Sequence, residues 1–112
     1  MIAGPEINHL EQWIASCAFM QEAIYASHEE ATHNFLARQL ASLHGEVAEL
    51  GEELNWRVWK PVTQEPERII EEAVDVLIFL GNILARCGIT GREMVHAYNE
   101  KARYNVHRHA AR

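Results

Sequence analysis

Glu46 and Glu49 stand three residues apart, with Glu53 four further on, and Glu72 and Asp75 repeat the three-residue step later in the chain. On an α-helix each residue turns about 100°, so positions three and four apart share a face. The first group is then a carboxylate stripe at the rim of the apolar series Leu43, Val47 and Leu50. The second interrupts an otherwise apolar segment. Burying two carboxylates is costly unless something positive neutralises them. A hard divalent cation does this well, since it takes oxygen ligands, and Mg²⁺ commonly shares its shell with substrate phosphates and water. The plainer alternatives are a solvated acidic face on the first helix and internal ion pairs with Arg38, Arg57 or Arg86.

Those acids need helices to hold them. The spacing of Leu10, Ile14, Ala18 and Ile24 predicts a first helix over residues 5–26. Ser27 followed by Glu30 is a capping-box pattern that opens a second, ending near Leu54. In it Leu36, Leu40, Leu43, Val47, Leu50 and Leu54 alternate steps of four and three, a narrow seam of the coiled-coil kind. Residues 55–66 carry no helical period. A third helix is predicted from Pro66, tolerated in a first turn, to Gly88, a natural C′ residue. Its apolar residues cover most of its circumference, so it should be central and buried. Thr90 and Glu93 form another capping box, opening a fourth helix to about His107. Four helices with short joints predict an all-α, four-helix bundle-like domain over residues 1–112. The narrow seams predict that homo-oligomerisation completes it, as a homodimer or homotetramer, with the second- or third-helix seam at the interface. Glu49, Glu72 and Asp75 should converge where these two helices meet, with Glu46 at the edge.

The bulk numbers bound the function. A chain of 112 residues with net charge −6 has room for one core and lacks the basic surface of a general nucleic-acid binder. Two cysteines without a CxxC cannot make a Cys₄ zinc site. They read as buried thiols of a reducing compartment. The most apolar run, residues 73–85, contains Asp75 and Asn82 and is shorter than the roughly 18 residues a membrane span needs. With no basic-then-apolar leader pattern at the start, a cytoplasmic location with no membrane partner is expected.

Glu46-x-x-Glu49, a linker, then Glu72-x-x-Asp75 resembles the ExxE…ExxD signature of the MazG-like nucleoside-triphosphate pyrophosphohydrolases. That superfamily includes dimeric dUTPases and phosphoribosyl-ATP pyrophosphohydrolase. The flanking text, HGEVAELGEEL and EEAVDVLIFLGNIL, agrees, and YNEKARYNVHR at residues 98–108 resembles the family's Lys-x₃-Asn-x₂-Arg segment. The resemblance covers residues 40–108. It departs where some members have a further Glu, here Gly45, for which Glu53 or Glu71 could compensate. It implies hydrolysis of a (deoxy)nucleoside triphosphate to the monophosphate and pyrophosphate. Glu46, Glu49, Glu72 and Asp75 would hold Mg²⁺, or Mn²⁺ in its place, with Glu46 or Glu49 orienting the attacking water. Lys101, Asn105 and Arg108 would grip the polyphosphate.

By spacing alone those three share one face of the fourth helix, which suits a solvated helix end better than a phosphate grip; the resemblance reverses that preference. Trp56 and Trp59 in the break could stack on a base and Lys60 could reach phosphate, or they could cap the core. Asn82 could bond a sugar or base edge, or be a satisfied buried amide. Two rival functions are open. Glu6-x-x-His9, Glu30-x-x-His33 and Glu93-x-x-His96 fit a ferritin-like di-metal carboxylate protein, although all lie at predicted helix starts. A non-catalytic helical dimerisation module is the other, and the Glu72/Asp75 pair weighs against it.

Overall fold

The computed structural model describes residues 9–25, 32–54 and 65–110. Within them a short 3₁₀ turn, Leu10–Gln12, leads into α1, Trp13–Tyr25, followed by α2, Thr32–Glu53, α3, Pro66–Arg86, and α4, Gly91–Ala110. No strand occurs among the described residues, and the fold is all-α. The first helix therefore starts later than its periodicity predicts. The Ser27–Glu30 capping pattern and the 55–64 break, with Trp56, Trp59 and Lys60, lie outside the described residues.

The other helix ends follow the local chemistry. Pro66 begins α3 after an extended Glu65, and Glu67 in the first turn and Arg86 in the last complement the helix dipole. At its far end Gly88 takes a φ of +78°, where a side chain would be strained. Gly88 N–H donates to Ala85 O at 3.1 Å and Ile89 N–H to Leu84 O at 3.0 Å, which is the Schellman pair. Leu84 and Ile89 both pack on the core, giving the hydrophobic contact that accompanies that motif. The Thr90 capping box forms: Glu93 N–H donates to Thr90 Oγ1 at 3.2 Å and Thr90 N–H to Glu93 Oε1 at 3.1 Å.

The core lies between α1 and α3. Trp13, Ile14 and Cys17 are buried, with Leu77, Leu80, Leu84 and Met94 against them. The buried face of α1 is thus Trp13–Cys17–Gln21 with Ile14, whereas Leu10 and Ile24 of the predicted stripe are about 60% exposed. This face hydrogen-bonds the main chain of α3. The Trp13 indole N–H donates to Leu77 O at 2.7 Å, the Cys17 thiol to Ile78 O at 3.6 Å, and Gln21 Nε2 to Asn82 O at 2.9 Å. Such contact requires the helices to touch backbone-close, and Gly81 permits it: a Cβ there would collide with the Cys17 sulfur and the Trp13 ring. Burial pushes the Cys17 thiol up to about 11, so it is an inert core group rather than a nucleophile.

α2 and α3 run antiparallel in constant register. Arg86 stands over the Phe35 ring at 3.8 Å, Asn82 Nδ2 donates to Gln39 Oε1 at 2.9 Å, Asp75 faces Glu46, Glu72 faces Glu49, and Arg68 approaches Glu53 at 4.0 Å. The numbers of each pair add to the same total, and along each helix the steps are four, seven, three and four. The contact is therefore a heptad seam, but a polar one. The leucine seam read from the sequence sits one residue on from it, about 100° round the helix. Leu40, Val47 and Leu54 are 40–50% exposed and Leu36, Leu43 and Leu50 half-buried. α3 is central, packed on both α1 and α2, but it is not buried as predicted. Only Gly81 and Asn82 are buried in it, and Ile70 and Val74 stand 62% and 45% exposed. α4 turns away from α3 by 112° and packs on the 3₁₀ turn and α1. No single helix is long and apolar enough to cross a membrane.

Candidate metal centre

The α2–α3 register brings the acids together two turns below the Gln39–Asn82 bond. Glu46, Glu72 and Asp75 each offer a carboxylate oxygen, and these oxygens lie within 4.8 Å of one another on half-buried side chains. Glu49 is exposed and stands within hydrogen-bonding reach of both Glu46 and Glu72. The arrangement corrects the predicted layout: Glu46 belongs to the inner group and Glu49 to its rim. The reason is rotational, since the side of α2 turned to α3 is offset from the leucine stripe against which the acids were placed.

Crowding leaves an electrostatic mark. Burial raises the Glu46 carboxyl above the usual carboxylate range, with the Glu49 charge, a hydrogen bond to Glu49 and the Asp75 charge adding to it. Burial likewise raises Glu72, followed by its hydrogen bond to Glu49 and the charges of Glu49, Glu46 and Asp75. Glu46 Oε2 and Glu72 Oε2 are buried with no hydrogen-bond partner. Buried acceptors are nearly always satisfied, so two orphaned oxygens on carboxylates that already converge fit a bound divalent cation, as does an all-oxygen donor set.

The raised acids fix the sign of a pH effect. In metal-free protein, between the ordinary carboxylate value and the raised folded one, the unfolded chain has released these protons more completely than the folded chain. The unfolded state binds fewer protons, so their contribution makes stability fall as pH rises from the unfolded pKa through the folded one. Glu46→Gln removes one participant. Under chelation its melting temperature should match wild type at about pH 4, below the ordinary carboxylate value, and exceed it increasingly toward neutrality. Thermal melts across that range check this, and a gap that does not grow with pH would mean that Glu46 feels no crowding.

Other acids have other partners. Glu53, considered in place of the acid missing at Gly45, lies near Arg68, and Glu71 is exposed. Of the Glu-x-x-His pairs, Glu93-x-x-His96 lies wholly within the described helices, and Glu93 is held by the Thr90 cap. The acidic group of three contains no histidine.

The predicted substrate residues are not all beside the acids. Asn82 is buried and its amide nitrogen is held by Gln39. Gln39 was missed as its partner, although it shares the heptad spacing with Glu46. Lys101, Asn105 and Arg108 are exposed on α4. Asp75 precedes the end of α3 by eleven residues, about 16 Å, and Arg108 lies seventeen residues into α4, about 25 Å. With the 112° turn between these arms, the helix axis at Arg108 stands roughly 24 Å from that at Asp75 of its own chain.

The model of a family described as dUTPase, the all-α kind related to MazG, matches residues 9–112. The chain belongs to that family. Comparison with curated proteins and with solved structures gives no match. The matched span includes both acidic motifs and all of α4, and the family is one of nucleotide hydrolases.

Proposed function

We propose that the chain is a nucleoside-triphosphate pyrophosphohydrolase, adding water across the bond between the α- and β-phosphates to give a nucleoside monophosphate and pyrophosphate. The observation that carries this reading is the convergence of Glu46, Glu72 and Asp75, with Glu49 at the rim and two buried oxygens left without partners. A catalytic scaffold gains from such a group, whereas a dimerisation module would only bear its cost. Glu46, Glu49, Glu72 and Asp75 would hold Mg²⁺ or Mn²⁺, which when bound would neutralise phosphate oxygens and lower the pKa of water.

The chain's own groups do the rest. Glu49 is the exposed member of the four and sits against Glu46, so this pair orients the attacking water and accepts its proton. Lys101, Asn105 and Arg108 share a face by their steps of four and three and take the polyphosphate. Given the reach from α4, the grip at one acidic cluster is most simply that of another copy. Trp59 and Lys60 contribute stacking and a phosphate contact from the 55–64 segment, and Asn82, steadied by Gln39, offers its remaining oxygen to the sugar or base.

The test is a panel of ribo- and deoxynucleoside triphosphates with Mg²⁺, with pyrophosphate and orthophosphate measured separately. The family's name makes dUTP the first to try. Pyrophosphate with an equal amount of monophosphate is expected from at least one nucleotide, and none under chelation. Orthophosphate as the sole phosphate product, or no turnover across the panel, would refute the proposal. Tight iron binding with oxidase activity would favour the ferritin-like alternative.

A further inference from the structure

Gly45 stands beside the acids and adds no ligand to them. It precedes Glu46 by one residue and Glu49 by four. On α2 it therefore lies about 100° round from Glu46 and shares a face with Glu49. A Cβ at Gly45 would meet nothing within 4 Å among the described residues. The flank of the centre is open at this position, and only a side chain is missing from it.

The donors that are present account for one ion. Among the described residues a single group of three acids brings its ligand oxygens within 4.8 Å of one another, Glu46, Glu72 and Asp75. Glu49 at the rim reaches Glu46 and Glu72. One step further along the seam Glu53 faces Arg68 in place of another acid. In the other direction the same register sets Ser42 against Phe79, which offers no carboxylate. Glu52 and Glu71 are exposed and outside the group. In two-metal phosphate enzymes the ions stand about 3.5–4 Å apart, so a second ion needs carboxylate oxygens of its own beside the first set. Glu49 alone remains to supply them, and a hard cation takes about six oxygens.

We infer that the centre is mononuclear: the chain's own carboxylates hold one divalent cation, and Gly45 is the place where the ligand for a second is missing. This rests on the metal-dependent reading of the site and goes on from it to the number of ions. Glu46 and Glu49 then have the attacking water to themselves. Restoring a carboxylate at position 45, beside Glu49, should create the second site, because the space for it is already there.

Titration of the full chain with Mn²⁺, followed by electron paramagnetic resonance, tests this without nucleotide and without turnover. Wild type at saturation should bind one Mn²⁺ per chain, with the spectrum of an isolated ion. Gly45→Glu should bind two, with the spin coupling of ions about 3.5–4 Å apart. Gly45→Gln adds a side chain of the same length without the charge and should stay at one. Both variants should keep the helical circular dichroism, since either residue favours helix over glycine. If Gly45→Glu nevertheless loses its helices, the wild-type count decides alone. Two coupled ions in wild type would overturn the inference and leave the pyrophosphohydrolase reading standing. A Gly45→Glu protein that still binds one ion, or binds a second without coupling, would overturn it too, since position 45 would then lie outside the centre. No bound ion in wild type would overturn both the inference and the metal reading beneath it.

Discussion

Glu49→Gln and Asp75→Asn should abolish pyrophosphate release while leaving the metal-free fold as stable as wild type or more so. Both substitutions keep shape and hydrogen-bonding capacity and remove one negative charge from a cluster where Glu46 and Glu72 already resist ionisation. Relief of like-charge repulsion favours the apo fold. Catalysis should fall more than about 100-fold, because even groups behind the direct ligands of a metal are worth roughly 10–100-fold. Wild type should gain stability with Mg²⁺, about 2.7 kcal/mol at one hundred times its dissociation constant, and the variants should lose most of that gain. A structural ion pair gives the opposite pattern, since removing one partner strands a buried charge and costs about 3–5 kcal/mol. Paired melts with and without Mg²⁺, alongside pyrophosphate assays, separate the two. Easy unfolding of both variants with no Mg²⁺ effect on wild type would leave a helical scaffold in place of an enzyme.

Lys101→Ala and Arg108→Ala should each slow turnover about 10- to 150-fold with the fold intact. A charge-assisted hydrogen bond is worth roughly 1.5–3 kcal/mol, and each 1.36 kcal/mol is about a factor of ten in rate. Both side chains are exposed on a helix that, among the described elements, packs on the 3₁₀ turn and α1, so their removal costs little packing. If the grip acts between copies, mixing Arg108→Ala with Asp75→Asn should recover part of the activity that neither shows alone, because a mixed pair has one site with both parts intact. Wild-type kinetics in the single variants would make this a solvated face. Full loss of activity without recovery on mixing would place the grip and the acids in one chain.

The sequence by itself determined the helices and the elements of the chemistry. Pro66, the Gly88 stop and the Thr90–Glu93 box are local devices, set by φ restrictions and by side chains within three residues of the backbone they cap, so they read correctly without tertiary information. The two acidic motifs were legible for the same reason, because a three-residue step fixes a shared helix face wherever the helix goes. Which face meets which neighbour was not legible. α2 carries two stripes of the same heptad spacing, one apolar and one made of Phe35, Gln39, Glu46, Glu49 and Glu53, and hydrophobic pattern alone selects the apolar one for the nearest contact. The tertiary structure turns the polar stripe to α3, where Asn82, Asp75, Glu72 and Arg68 answer it residue for residue, and leaves the leucines outward. Periodicity measures how strongly a face avoids water and says nothing about which surface covers it. For the same reason only the folded chain revealed Glu46 inside the cluster, Gln39 on Asn82, and Lys101 and Arg108 carried away on a helix that turns by 112°.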